Sequence, residues 1–194
     1  LYLAFCCDEN QMDRVRAEVL GSDGPVWTDD SVEVFLGGGA DPRNYSHFVV
    51  NSRGTRYDAR VRVQGELSQT PPASADIHSD DTWNANWEAA AGVCQGGWCV
   101  EMSLPLSALN WDGTRSLYAN FARTRRAPEG PEYALWCPTF AGYHHPARLG
   151  RLTLNDCPIL PRRTTSQRFA PQAWGFFNSN TLPNLSGTLA LRKE

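Results

Sequence analysis

The stretch VWTDDSVEVFLGG, residues 26 to 38, decides the fold. From Ser31 onward, polar and apolar side chains alternate, which is the pattern of a strand with one buried face. The side chains expected on the core face are Val32, Val34 and Leu36. Those expected on the opposite face are Ser31, Glu33 and Phe35. The stretch therefore predicts a β-strand with an aromatic ring and a carboxylate on its second face.

Further strand patterns recur roughly every ten to fifteen residues and are bounded by Gly, Pro, Asn or Asp. They are LYLAFCC, HFVVNSRG, YDARVRVQG, WNANWEAAAGV, GWCVEMSLPL, SLYANFARTR, YALWCP and RLGRLTL. Residues 12 to 20 have only weak helical spacing and could equally form a loop or another strand, whereas LPLSALN predicts a short helical turn. The pattern predicts an all-β, antiparallel, jelly-roll-like sandwich. Because Leu1 opens inside a strand pattern, we expect the first strands of the domain to precede it.

The bulk composition excludes several classes of partner. The chain has 194 residues and a net charge of −3, which suits one core and does not favour nucleic acid as a partner. No apolar run approaches the roughly 20 residues that span a bilayer. We therefore expect neither a nucleic-acid partner nor a membrane span.

Six cysteines are many for a chain of this length, and the even count indicates disulfides and a secreted, extracellular or periplasmic location. Two N-x-S sequons, at Asn44 and Asn184, fit a secreted chain. Zinc is the alternative use of the cysteines, but the sequence contains no CxxC pair and no Cys/His ladder.

The cysteines of CQGGWC give one local pairing. A tight turn at Gly96-Gly97 would bring Cys94 and Cys99 face to face, so we predict a Cys94–Cys99 disulfide. The remaining cysteines leave the pairing open, because either member of the adjacent pair near the N-terminus could meet either C-terminal one. They are Cys6, Cys7, Cys137 and Cys157.

The composition changes after Pro158 to Pro, Ser, Thr and Asn, with four aromatic residues among them. Those residues are Phe169, Trp174, Phe176 and Phe177. A disordered tail seldom carries so many aromatic rings. We therefore expect a sandwich over residues 1–157 and an extension, residues 158–194, that docks on the domain or on a neighbouring subunit.

The acidic residues of the opening stretch have two interpretations. Adjacent aspartates before a strand are ordinary turn residues, whose carboxylates bond to nearby backbone N–H groups. If the extended backbone begins before Ser31, however, Trp27 and Asp29 share the face of Glu33 and could form a binding surface. Both interpretations of Asp29 and Asp30 stay open at this point.

Four segments resemble the family 9 carbohydrate-binding modules, in the same order. WTDDSVEVFLG is similar to the signature W-x-D-D-S-V-E-I-F, and GWCVEMSLPLSAL to the family's W-x-V-E-x-x-I-P-x-x-x-L segment. LYANFARTRR resembles its N-x-x-R strand, and YALWCP with FAGYHHPARLGRLTL its closing block. The resemblance covers residues 1 to 154, without the family's first strands.

The resemblance implies a β-sandwich that binds a polysaccharide or oligosaccharide without cleaving it. In the family, two aromatic side chains clamp a terminal sugar, and these correspond to Trp27 and Tyr143. Sugar rings present apolar C–H faces that stack on aromatic rings, while their hydroxyls favour charged hydrogen-bond partners. Glu33 matches the family's binding glutamate, and Arg123 and His144 are expected neighbours.

The chain departs from the family at three polar contacts. Val49, Ala122 and Phe140 stand where the family has an arginine, a glutamine and an asparagine. The resemblance therefore implies either a different sugar or a scaffold that no longer binds one. The family can also hold calcium through hard oxygen ligands. The candidate ligands are Asp8, Asp29 and Asp30, with Glu9, Asp13 and Asp23 as further carboxylates.

Three other functions compete with sugar binding. A structural or assembly subunit would use residues 158–194 for self-association. A haem domain would need a Met and a His axial ligand, for which Met12, Met102 and His144 are the candidates. A glycoside hydrolase would need a carboxylate pair drawn from Asp29, Glu33 and Glu101, but no catalytic motif accompanies them.

Overall fold

The computed structural model describes residues 1–113 and 115–154, and these form two antiparallel sheets packed face to face. The small sheet has three strands in the order β1-β7-β6. The large sheet has seven, in the order β10-β8-β2-β3-β4-β5, with β9 also paired to β8. The predicted all-β sandwich is confirmed. The extension predicted over residues 158–194 lies outside the described residues.

The strands are short, apart from the long β8. They are β1 Tyr2–Asp8, β2 Ser31–Gly37, β3 Asn44–Asn51, β4 Arg56–Val63, β5 Ile77–Asp80, β6 Glu88–Cys94, β7 Gly97–Ser103, β8 Ser116–Ala127, β9 Gly130–Leu135 and β10 Gly150–Thr153. In the described part of the chain, five 3-10 helices join them: Met12–Arg14, Val26–Thr28, Ser74–Asp76, Leu106–Leu109 and Pro146–Arg148. No helix within the described residues is long and apolar enough to cross a membrane.

Strand β2 lies inside the large sheet, between β3 and β8, and every one of its residues is buried. Val32, Val34 and Leu36 point into the main core, which they share with Trp98, Val100 and Met102 of the small sheet. Phe35 points the other way, into a second cluster on the outer face of the large sheet. The face assignment predicted for this strand is therefore correct, and it places Glu33 on the outer face.

One strand was not predicted. Strand β5, Ile77–Asp80, lies at the edge of the sheet and is polar and exposed apart from the half-buried Ile77. Of residues 12 to 20, whose structure the sequence left open, Met12–Arg14 form a single 3-10 turn. The short helical turn predicted in LPLSALN is confirmed as Leu106–Leu109.

The hairpin between β6 and β7 forms as predicted, but its turn is displaced by one residue. Gln95 and Gly96 occupy the turn, with Gly96 at φ +84°, and Gly97 pairs with Cys94. A Cβ atom on Gly97 would lie 2.0 Å from the carbonyl oxygen of Cys7, so the close approach of β1 requires glycine there. Cys94 therefore faces Gly97 and not Cys99. Both cysteines are free thiols in the structure, and the Cys94–Cys99 disulfide stays a prediction.

Candidate functional site

A large cleft lies on the outer face of the seven-stranded sheet, with a volume of about 820 Å³. Four of the five side chains predicted to bind a ligand line it: Trp27, Glu33, Tyr143 and His144. They come from two distant parts of the sequence, the stretch of residues 26 to 38 and the loop after β9. The other lining residues include His47, Tyr57, Ser79, Thr124, Arg126, Tyr133 and Phe140.

The floor of the cleft contains a buried polar pair. His47 Nε2 lies 2.8 Å from Glu33 Oε2, and each side chain is about 5% exposed or less. The His47 ring stacks on Phe35, at 4.4 Å between centroids and 12° between planes, which fixes its orientation. The other carboxylate oxygen of Glu33, Oε1, has no hydrogen-bond donor among the described residues. Glu33 is thus oriented by His47 and retains one free acceptor atom.

Glu33 has apolar neighbours on both adjacent strands. Its cross-strand partners are Val49 on β3 and Ala122 on β8, both buried. These are two of the positions where the resembling family carries polar contacts. The polar groups near Glu33 come instead from His47 and from Thr124, which lies further along β8.

Tyr143 and His144 enter the cleft from the loop that follows β9. The Tyr143 hydroxyl donates to the carbonyl oxygen of Arg123 at 3.4 Å and lies 3.2 Å from the hydroxyl of Thr124. Its ring makes an edge contact with Tyr133 of β9, at 5.9 Å between centroids. Strands β8 and β9 thereby hold the Tyr143 ring at the border of the cleft.

His144 is held as a neutral imidazole. Its Nδ1 is hydrogen-bonded to the Tyr45 hydroxyl at 2.8 Å, and its ring lies 5.1 Å from the His47 ring. Burial, with a smaller contribution from His47, lowers the pKa of His144 to about 3. Burial likewise raises the pKa of Tyr143, so its hydroxyl stays protonated. Both groups can therefore contact a neutral polar ligand without changing charge near pH 7.

Trp27 borders the cleft from the 3-10 helix Val26–Thr28. Its ring packs edge-to-face on Tyr57 of β4, at 4.9 Å between centroids. Trp27 remains 38% exposed to solvent. Arg126 of β8 donates from Nη2 to the Trp27 carbonyl oxygen at 2.6 Å. Trp27 and Tyr143 thus pack on different strands while lining the same cleft.

Asp29 fixes the segment that carries Trp27. It is fully buried, and its carboxylate accepts hydrogen bonds from the backbone N–H groups of Glu18 and Val19 and from Asn51 Nδ2, at 2.9 to 3.1 Å. Its neighbour Asp30 accepts from the backbone N–H of Arg16 at 2.9 Å. Of the two interpretations of this acidic pair, the structure favours the one in which the aspartates shape the loop.

The arginine of the cleft is Arg126, not Arg123. Because Glu33 pairs with Ala122, strand alternation directs Ala122, Thr124 and Arg126 to the outer face and Arg123 to the inner one. Arg123 accordingly lies 3.7 Å from Glu9 and does not line the cleft. The expectation that the Arg123 side chain lies beside the ligand in this cleft is wrong, because the pairing register of β2 and β8 turns it to the inner face.

The rim of the cleft is aromatic and open to solvent. Tyr133 is 56% exposed and Phe140 is 79% exposed. Phe140 adopts φ +64°, and Arg148 stacks over its ring at 4.7 Å. The third departure from the family's polar contacts therefore adds an exposed ring at the mouth of the cleft.

The calcium candidates do not come together. Asp8 ends β1 in the small sheet, whereas Asp29 and Asp30 bond to backbone groups beside the large sheet. Across residues 1–113 and 115–154, no three His, Cys, Asp or Glu side chains are grouped to hold a metal ion. Calcium binding stays a prediction.

Several lining residues carried no signal in the sequence. His47, Tyr57 and Tyr133 each open an ordinary strand pattern, and Arg126 directly follows another. Only the pairing register of β2 with β3 and β8 shows which of them reach Glu33. The alternation rule would identify them once that register is known.

Comparison with known proteins supports the fold. No protein-family model matches the chain. No curated protein matches it either. A crystal structure of a "putative carbohydrate-binding protein" from Bacteroides uniformis is similar, with a TM-score of 0.54 and 20% sequence identity, over 72% of this chain and 67% of that chain. At this level of identity the likeness shows a shared fold, so the resemblance to family 9 modules stays a prediction.

Proposed function

We propose that the cleft binds a carbohydrate without cleaving it, with the sugar stacked on Trp27 and Tyr143. The observation that carries this proposal is the convergence on one cleft of Trp27 and Glu33, from neighbouring elements, and Tyr143, from a distant part of the sequence. The similar Bacteroides uniformis protein, described as a putative carbohydrate-binding protein, adds support.

The composition of the cleft suits a sugar. Its exposed border is made of aromatic rings, which stack on the apolar C–H faces of a pyranose. Its floor offers an acceptor, Glu33 Oε1, and a charged donor, Arg126, for ring hydroxyls. The volume of about 820 Å³ falls within the range of about 300 to 1,000 Å³ typical of small-molecule sites.

The acidic groups of the cleft favour binding over hydrolysis. Glycoside hydrolysis normally uses two carboxyl groups that flank the scissile bond. Among the described residues, Glu33 is the sole carboxylate lining the cleft, and Asp29 is occupied by backbone and Asn51 donors. Glu33 therefore acts in this proposal as a hydrogen-bond acceptor for a sugar hydroxyl.

The selectivity of the cleft would differ from that of the resembling modules. Val49 and Ala122 leave apolar surface beside Glu33, while His47, Thr124 and Arg126 supply polar groups at other positions. We infer that hydroxyls are recognised along the β8 and β3 sides of Glu33. A polysaccharide or oligosaccharide end is the expected ligand class, met outside the cytoplasm.

Titration against an oligosaccharide panel tests the proposal. We expect at least one sugar to bind the wild-type chain. Trp27→Ala or Tyr143→Ala should raise the Kd for that sugar by roughly 10- to 100-fold. The matched control is Tyr118→Ala, since Tyr118 is a half-buried aromatic on the same face of β8 that does not line the cleft. Absence of binding across the panel, or an equal loss in the Tyr118 variant, would contradict the proposal.

A further inference from the structure

The outer face of the three-stranded sheet carries three thiols. Cys6 of β1 pairs across strands with Cys99 of β7, and Cys94 of β6 pairs with Gly97, two residues before Cys99. Since side chains two residues apart share a face, Cys6, Cys94 and Cys99 lie on the same one. Cys7 points the opposite way, into the core. This thiol group is on the other sheet from the proposed sugar cleft.

The hydrogen bonds between β1 and β7 identify the type of the Cys6/Cys99 pair. Leu1 and Leu104 exchange both backbone hydrogen bonds, and the Glu9 N–H donates to the Gly96 carbonyl. Hydrogen-bonded and non-hydrogen-bonded pairs alternate along an antiparallel ladder. Counting from either end places Cys6/Cys99 at a non-hydrogen-bonded position.

That position suits a disulfide. The Cα atoms of a non-hydrogen-bonded pair lie about 4.5 Å apart, within the roughly 4.4 to 6.8 Å that a disulfide spans. Cys94 and Cys99 are diagonal neighbours, for which the separation is about 7 to 8 Å. By register, Cys6 and Cys99 therefore have the closer backbone spacing, although the thiols of Cys94 and Cys99 are also in hydrogen-bond contact.

We propose that Cys6 and Cys99 are a redox-sensitive pair that closes into a cross-strand disulfide when the protein meets a disulfide oxidant. The thiolate of one cysteine attacks a sulfur of the oxidant, forming a mixed disulfide and releasing one thiol. The thiolate of the second cysteine then attacks the first, forming the Cys6–Cys99 bond and releasing the second thiol. Two protein thiols are oxidised, and one disulfide of the oxidant is reduced to two thiols.

The surroundings of the pair set the pH at which this exchange runs. Burial raises the pKa of Cys6, and Cys94, Asp8 and Glu101 raise it further. Burial and Cys94 raise the pKa of Cys99 to about 11. Because the thiolate is the attacking species, the exchange is slow near pH 7 and faster in mildly alkaline solution or with an oxidoreductase.

Oxidation of the full chain with oxidised glutathione at pH 8.5, followed by peptide mapping, tests the inference. We expect the six thiols titrated in denaturant to fall to four and a Cys6–Cys99 peptide to dominate. Cys6→Ser and Cys99→Ser should each abolish this product. The control Cys94→Ser should retain it, because that side chain takes no part in the bond.

A second measurement covers variants that fold poorly. The bond closes a loop of about ninety residues, so oxidation of the wild-type chain should raise Tm by roughly 5 to 10 °C, reversibly with dithiothreitol. A dominant Cys94–Cys99 product would overturn the inference. So would an unchanged thiol count, or an unchanged Tm in a chain that had lost two thiols.

Discussion

Replacing Asp29 with alanine should destabilise the whole sandwich, because this carboxylate holds the segment before β2 in place. The substitution removes the acceptor for the Glu18 and Val19 N–H groups and for Asn51 Nδ2. Asp29 is fully buried, so water does not replace the lost bonds. Each buried donor left without an acceptor costs roughly 1 to 3 kcal/mol.

The three losses share one carboxylate and are not independent, so we expect a decrease of about 3 to 5 kcal/mol in the free energy of unfolding. In a domain of this size, that corresponds to a fall in Tm of roughly 6 to 20 °C. Urea unfolding followed by tryptophan fluorescence measures it, and calcium chelation of the wild-type chain should leave the midpoint unchanged. The control is Asp13→Ala, an exposed carboxylate that should change stability by less than about 0.5 kcal/mol.

The reasoning would be refuted by an Asp29→Ala chain that unfolds at the wild-type midpoint. It would also be refuted if a chelator destabilised the wild type as much as the substitution does. That second outcome would make Asp29 an ion ligand in place of a backbone-capping group.

Three further predictions concern titratable groups. First, burial holds the pKa of His144 near 3 in the folded chain, against 6.5 in the unfolded chain. Between these pH values the folded chain binds fewer protons than the unfolded chain. The free energy of unfolding therefore falls as the pH drops below 6.5, by up to about 1.4 kcal/mol per pH unit. Denaturation at pH 7 and 5 should show this slope reduced in His144→Gln and kept in the exposed His78→Gln. Second, the hydrogen bonds from Arg125 lower the pKa of Glu9. The stabilisation by this carboxylate is therefore present above its usual pKa and is lost as the pH falls through the lowered value. Glu9→Gln should lower the free energy of unfolding by about 1 to 3 kcal/mol at pH 7, whereas substitution of the exposed Glu132 by Gln should change it little. Equal losses in the two variants would contradict this. Third, Glu33→Gln should weaken sugar binding at least about 10-fold by calorimetry while the chain stays folded, because it removes the charged acceptor of the cleft; undiminished affinity would exclude Glu33 from the site.

The sequence predicts the faces of the strands better than the contacts between them. Alternation alone placed Val32 and Val34 in the core and Glu33 on the outer face, and the structure agrees. It could not place Arg123, because its face relative to Glu33 depends on how β2 and β8 pair. Because Glu33 pairs with Ala122, the Arg126 side chain lies on the cleft face of β8 and the Arg123 side chain on the core face.

The cysteines show the same limit at a turn. A turn at Gly96-Gly97 would pair Cys94 with Cys99, but the observed turn at Gln95-Gly96 pairs Cys94 with Gly97. Both glycines are compatible with a turn when considered locally. The choice is made by β1, whose Cys7 carbonyl leaves no room for a side chain at position 97. A contact from a distant strand thus decides a local register.

The location of a bound sugar tests the central claim most directly. A crystal soaked with the tightest-binding oligosaccharide should show one sugar ring stacked on Trp27 and Tyr143, with a hydroxyl within hydrogen-bond distance of Glu33. A sugar bound elsewhere, such as on the outer face of the three-stranded sheet, would contradict the account, as would a cleft that stays empty at saturating sugar.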